Sequence, residues 1–160
     1  METSRQTIEK QDVVICFSGD SGDGMQMTGT LFTDTSAQMG NGILTFPDYP
    51  AEIRAPQGTA SGVSGFQVNF GSGKINTPGD TYDTLVAMNP AALKVGAKRL
   101  SKDATVIVDI DSFSEESVER AGFLTADPFV ELGIADYNII HAPITSMTKE
   151  ALKETGLEPK

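Results

Sequence analysis

A mostly parallel, doubly wound α/β sheet with helices on both faces is the fold class this sequence predicts. Three observations carry that prediction. Several segments are apolar without interruption, as strands covered on both faces are. These runs alternate with stretches of helical spacing, the pattern of βαβ units. The first run also enters the first helix through a glycine-rich turn, a construction that places backbone amides at the carboxyl end of a strand. An irregular β segment near residues 54–75 interrupts the alternation.

The first strand is Val13–Phe17, five consecutive apolar residues. Gly19, Gly22 and Gly24 then let the chain turn without a Cβ penalty. From Met25, residues Thr28, Leu31, Phe32, Thr35 and Met39 recur at helical spacing until Gly40 stops them. "GILTF" (42–46) is a second strand, closed by Pro47 and Pro50. Residues 54–65 are small and polar, as in a surface loop. "FQVNF" alternates, with Phe66, Val68 and Phe70 on one side and Gln67 and Asn69 on the other, which reads as a half-buried strand, antiparallel or at an edge. "DTLVAMN" (83–89) is a buried strand, and Pro90 opens a helix through Leu100. "ATVIVDID" (104–111) is the clearest strand. Ser114 caps a short helix to Arg120, Asp127 and Pro128 open another, and "YNIIHAP" (137–143) is the last strand. Thr145 or Ser146 then caps a helix from Met147 to Glu154.

Composition narrows the function classes. The 160 residues are 39% hydrophobic and 21% charged, which suits one globular domain with a core, residues 11–160, behind a flexible N-terminus, residues 1–10. A net charge of −10 argues against nucleic acid and anionic membrane as partners. No apolar run has the length of a membrane span, and Met1–Lys10 carries no signal-peptide pattern, so the expected location is cytoplasmic. The lone cysteine, Cys16, lies inside an apolar run and reads as core.

In sheets of this class ligands sit beyond the carboxyl ends of the strands, here Ser18–Gly24, Asp48, Asn89, Asp109, Asp111 and His141. The glycine turn reads G-D-S-G-D-G, which is neither the dinucleotide fingerprint nor a Walker loop. Asp20 and Asp23 repel a phosphate at the helix mouth, while either of them, or Ser21, suits a helix N-terminus as a cap. A capped turn and a ligand-contacting loop are the two readings. His141 is structural or a general base. Asp109 and Asp111, separated by Ile110, are turn formers or an oxygen-ligand pair for Mg²⁺. With a single histidine and a single cysteine, no His/Cys metal cluster forms. Arg54 is the one cation between Lys10 and Lys74. It either pairs locally with Glu52 or offers its planar fork of donors to an anionic group or an adjoining domain.

Taken together, residues 17–68 resemble the gamma-type domain of 2-oxoacid:ferredoxin oxidoreductases, in the version carried at the N-terminus of the alpha subunit of the 2-oxoglutarate enzymes. The resemblance rests on Gly19, Gly22 and Gly24 with Gly29 in the following helix, on Tyr49, Pro50, Ile53 and Arg54, and on the Gly/Ser-rich segment that leads to "FQV". Two features depart from the family pattern. Ser21 stands where the turn usually has another small residue, and Ala55–Pro56 follows Arg54 where a glycine pair is common.

The resemblance implies CoA-dependent oxidative decarboxylation of a 2-oxoacid, with electrons passed to ferredoxin. It implies that thiamine diphosphate, Mg²⁺ and iron–sulfur clusters belong to the full complex and that this segment binds none of them alone. It further implies that the gamma domain packs over the active site, with Gly19, Ser21, Gly22, Gly24 and Arg54 as contacts to CoA or to a neighbouring domain, and with no catalytic residue of its own. The implied partners are the thiamine-pyrimidine-binding remainder of the alpha subunit, a thiamine-binding beta subunit and ferredoxin. On this reading the chain is a piece of a longer alpha subunit. A free-standing nucleotide-binding or subunit-interaction module without catalysis is the alternative. The "GDG" at Gly22–Gly24 imitates the thiamine motif, but that motif needs an Asn about 25 residues later to complete an oxygen-rich Mg²⁺ shell. Asn41 comes too early and Asn69 too late.

Overall fold

The structure, a computed structural model, describes residues 9–52 and 54–153. Its strands are β1 (Asp12–Asp20), β2 (Gly42–Asp48), β3 (Val63–Gly71), β4 (Tyr82–Ala87), β5 (Leu100–Asp109) and β6 (Asn138–Ala142). They form one sheet in the order β2-β3-β1-β4-β5-β6. β1, β4, β5 and β6 pair in parallel, whereas β3 runs against both of its neighbours. The four apolar runs are thus adjacent, as the sequence predicts, with β6 at an edge.

The helices are α1 (Met25–Gln38), α2 (Pro90–Gly96), α3 (Glu115–Arg120), α4 (Pro128–Glu131) and α5 (Ile144–Lys153). Most of their starts follow from local chemistry. Asn89 Oδ1 accepts from Ala92 N at 2.8 Å ahead of Pro90. Ser114 Oγ accepts from Ser117 N at 3.2 Å, and Asp127 Oδ1 accepts from Phe129 N and Val130 N at 2.9 and 3.1 Å. These satisfy amides that the helix itself leaves open.

Four expectations change. α1 has no side-chain cap from Asp20, Ser21 or Asp23; its N-cap is Gly24 in the left-handed region, φ 78°. Leu100 does not close the second helix, because Ala97–Arg99 tightens into a 3-10 turn and Leu100 opens β5. α5 starts at Ile144, before Met147, because Asp109 and Asp111 accept from its first amides. Finally, residues 63–71 are a regular strand inside the sheet, so the irregularity shrinks to the turns on either side. Gln67 and Asn69 are each 2% exposed. Residues 77–79 fold over them, and their amides donate to Gly79 O at 2.7 Å and Thr77 O at 2.9 Å, which offsets the cost of burying polar groups.

The main core lies on the α2 side of the sheet, where Val14, Cys16, Leu85, Val106 and Val108 meet Ala92 and Leu93. Burial pushes the Cys16 thiol up to about 11, in keeping with a core residue. On the opposite face Phe32 of α1 packs between Phe17 and Phe70, with ring centroids 5.6 and 5.2 Å apart. There Gly29 lets the helix press onto Phe66. A Cβ at Gly29 would fall 2.1 Å from the Phe66 ring. This second face is less well covered than the continuous apolar runs predict. Ile15, Phe17, Thr84, Val86, Thr105 and Ile107 are all half-buried, while Val14, Cys16, Leu85, Ala87, Val106 and Val108 on the other face are buried. Among the described residues, no helix is long and apolar enough to cross a membrane.

Candidate functional site at the carboxyl ends of the strands

β1 and β4 are parallel neighbours whose crossover helices α1 and α2 lie on opposite faces, so the chain departs in two directions from their carboxyl ends. Two adjoining cavities open there, of about 260 and 330 Å³. They share Asp23, Met88 and Ser112. The first continues to Asp20, Gly58 and Arg120, and the second to Asp109, Thr145 and Lys149. A larger cavity of about 600 Å³ lies around Lys74 at the opposite end of β1, away from the strand ends where function is expected.

The glycine turn is largely satisfied from within. Asp23 Oδ2 accepts from Asp20 N at 2.7 Å, and a side chain at Gly19 would meet that same oxygen at 2.8 Å. The anion that such a turn invites is therefore the protein's own carboxylate. Gly22 and Gly24 hold φ of 111° and 78°, which explains the glycines without a ligand. Residues 21–24 are exposed. Burial of its inward-turned carboxylate raises the Asp23 pKa, a rise that the Asp20 amide opposes and the charges of Asp20 and Asp109 reinforce.

The turn also holds the following loop. Asp20, 8% exposed, accepts from Gly58 N through Oδ2 at 2.7 Å, and its Oδ1 is buried without a hydrogen-bond partner. Ser21 N donates to Gly62 O at 3.1 Å. Gln26, in the first turn of α1, donates to Gly65 O at 2.8 Å and to Ser64 Oγ at 3.2 Å. Gly19, Ser21, Gly22 and Gly24 are thus brought to one rim together with the loop that carries Arg54. Arg54 itself is exposed and lines neither cavity. Among the described residues it forms no ion pair, so the local pairing with Glu52 is not made. Ile53 lies outside the described residues.

Asp109 and Asp111 hold the start of the last helix. Asp109 is fully buried and accepts from Thr145 Oγ1 at 2.5 Å, Thr145 N at 3.3 Å and Ser112 Oγ at 3.3 Å. Asp111 Oδ2 accepts from Ser146 N at 2.6 Å. Both carboxylates therefore anchor α5, a role that strand-end turn formers share with N-caps. His141 stacks edge-on against Phe129, ring centroids 5.6 Å apart. Among the described residues, no group of three or more His, Cys, Asp or Glu is placed to hold a metal ion. With Asp23 committed to its own turn, the residues around the "GDG" do not fit the Mg²⁺ of thiamine diphosphate. Sequence reasoning missed Arg120 and Lys149, the two cations of the cleft. They reach it from α3 and α5, and no local pattern marks them.

The sequence profile of the pyruvate ferredoxin/flavodoxin oxidoreductases matches residues 14–157. The chain belongs to that family. Within it, the chain is 45% identical over 156 residues to the 2-oxoglutarate oxidoreductase subunit KorA of Mycobacterium tuberculosis, which covers 98% of this chain and 23% of that subunit. The fold is similar to that of a 2-oxoglutarate:ferredoxin oxidoreductase from Magnetococcus marinus, a structure with 2-oxoglutarate, coenzyme A and succinyl-CoA bound. There the TM-score is 0.67 at 23% identity, over 91% of this chain and 22% of that one. It is also similar to the gamma subunit of a keto/oxoacid ferredoxin oxidoreductase from Geobacter sulfurreducens, TM-score 0.58 at 18% identity, over 88% of this chain and 66% of that one. The pyruvate oxidoreductase subunit PORC of Thermotoga maritima gives a TM-score of 0.55 at 16% identity, over 90% and 68% of the two chains. The chain thus spans less than a quarter of the curated family member it matches.

Proposed function

We propose that residues 11–160 are the gamma-type domain of the alpha subunit of a cytoplasmic 2-oxoglutarate:ferredoxin oxidoreductase. In this reading the domain packs over the active site and contributes to CoA-dependent oxidative decarboxylation to an acyl-CoA. The observation that carries the proposal is the 45% identity to a 2-oxoglutarate oxidoreductase subunit across 98% of the chain. Thiamine diphosphate, Mg²⁺ and the iron–sulfur clusters sit in the rest of the complex. The partners are the remainder of the alpha subunit, a thiamine-binding beta subunit and ferredoxin.

The residues divide between two tasks. Ser21, Gly22 and Gly24, small and exposed, together with the Gly19 that lets Asp23 fold inward, present a face that an adjoining domain can approach closely. Asp20 and Asp23 keep phosphates away from that turn. Arg54, exposed and unpaired among the described residues, offers a bidentate fork to an anionic group of CoA. CoA, when bound, supplies the thiol that accepts the acyl group, and the role of Arg54 is to hold and orient it.

The test is Arg54→Ala in the assembled enzyme. Melting of the domain should stay unchanged, because exposed charges contribute little to folding. The apparent KM for CoA should rise roughly tenfold or more, the size of a lost charge-assisted hydrogen bond. Equal turnover of variant and parent at subsaturating CoA would refute the assignment.

A further inference from the structure

The register of the parallel strands lines up two rows of side chains across one face of the sheet, Ile15–Thr84–Thr105–Asn138 and Phe17–Val86–Ile107–Ile140. α1 covers the Phe17 end through Phe32. Toward β6 the cover fails, and Ile140 is 44% exposed. α5 stands on the same face without closing the gap. Its apolar stripe, Ile144, Met147 and Ala151, lines with Ile107 and Ala142 a cavity of about 470 Å³, and none of its residues is buried. Met147 is 62% exposed. The other face carries α2, α3 and α4 and both buried clusters. A parallel sheet needs both faces covered, and an apolar surface of this kind marks a contact site.

We infer that this face, over β4 and β5 between α1 and α5, seats an amphipathic helix supplied by the longer subunit in which the domain resides. This rests on the reading of the chain as one domain of such a subunit. Two observations favour this occupant. The relative and the fold neighbours of this chain are longer than it is: it spans 23% of the one and 66% to 68% of two subunits of the same fold. A helix is also about 10 Å across, the width of two neighbouring strands. A strand added outside β6 fits less well. The outward crossovers β4-α2-β5 and β5-α3-α4-β6 use the α2 face, whereas α5 leaves β6 on the other, against the uniform handedness of such connections.

Thiol labelling tests the inference. Ile140→Cys and Met147→Cys are introduced into the 160-residue chain and, at matching positions, into a full-length family subunit, with Leu124→Cys, on a side chain 94% exposed, as control. Both test sites should react quickly with a maleimide in the short chain and at least tenfold more slowly in the long one, with the control equal in both. Unchanged rates in the long subunit would overturn the inference. So would slow labelling in the short chain, where its own ends would then be the cover, or equal slowing of the control. Cysteine scanning of the covering segment should show protection every three to four residues, and a two-residue alternation would make it a strand and refute the helix. None of these rates depends on CoA, so the Arg54 assignment stands or falls separately.

Discussion

Substituting Gly29 separates two opposed effects whose balance can be worked from the structure. In an exposed helix Gly→Ala stabilises by about 1 kcal/mol. Here the new methyl would lie 2.1 Å from Phe66 Cδ1 and 2.4 Å from Cγ, where ordinary contact begins near 3.4 Å. α1 must therefore withdraw from β3 by more than an ångström or the ring must move, and Phe66, 8% exposed, has little free space around it. Overpacking of this kind costs about 1–3 kcal/mol. Because the overlap is severe, the upper part of that range applies, leaving a net loss of about 1–2 kcal/mol after the helix gain. For a chain of this length that is a fall of roughly 2–8 °C in melting temperature. Chemical denaturation of Gly29→Ala, alone and with Phe66→Ala, is the assay. In the Phe66→Ala background, which removes the ring atoms at 2.1 and 2.4 Å and leaves only Cβ at 2.8 Å, the same substitution should cost far less, which makes the coupling specific to the ring. A single Gly29→Ala variant as stable as the parent, or more so, would refute the reasoning.

Other positions give sharper contrasts. Gly24 has φ 78° and nothing within 4 Å of a built Cβ, so Gly24→Ala should cost only the backbone strain of about 1–2 kcal/mol, less than Gly29→Val, in thermal melts. Asp109→Ala strips acceptors from Thr145, Ser112 and Asp111 and should cost about 2–4 kcal/mol, with α5 signals lost first in hydrogen exchange or NMR. A raised carboxyl pKa favours folding while the group is protonated, and that contribution fades as pH climbs through the folded-state value. Asp23→Asn should therefore stabilise the domain near neutral pH and flatten its acid-side pH profile, and an unchanged profile would count against the inward-turned carboxylate. Calorimetry of the 160-residue chain with thiamine diphosphate and Mg²⁺ should give no isotherm, and stoichiometric micromolar binding would overturn the reading of the "GDG" turn.

Residues whose role is set by their neighbours in sequence were legible. Val13–Phe17 and Ala104–Val108 announce buried strands by composition, and Asn89, Ser114 and Asp127 announce helix starts because a cap acts within three residues. β3 was legible as an antiparallel strand, but the burial of its polar face was not, because the carbonyls that satisfy Gln67 and Asn69 come from residues 77–79, and alternation alone cannot say whether a polar face meets water or a folded loop. The same limit applies at the site. Gly19, Gly22 and Gly24 were visible as a turn, but Asp23 filling that turn and Asp20 holding Gly58 are long-range or conformational facts. Arg120 and Lys149 join the cleft through packing of α3 and α5, which leaves no local trace.

The stitching of the 54–62 loop bears on how this face moves. Asp20 fixes Gly58, Ser21 fixes Gly62, and Glu52 N donates to Ser61 O at 3.1 Å, so the loop is fastened near its start, middle and end. A flap that swings by itself needs free hinges at its two roots, and here one root is bonded to the strand-end turn of the central β1. Any opening and closing of the Arg54 rim is then a displacement of the domain as a rigid body. Its timescale would be that of microsecond-to-millisecond domain swings rather than the faster flicker of a surface loop.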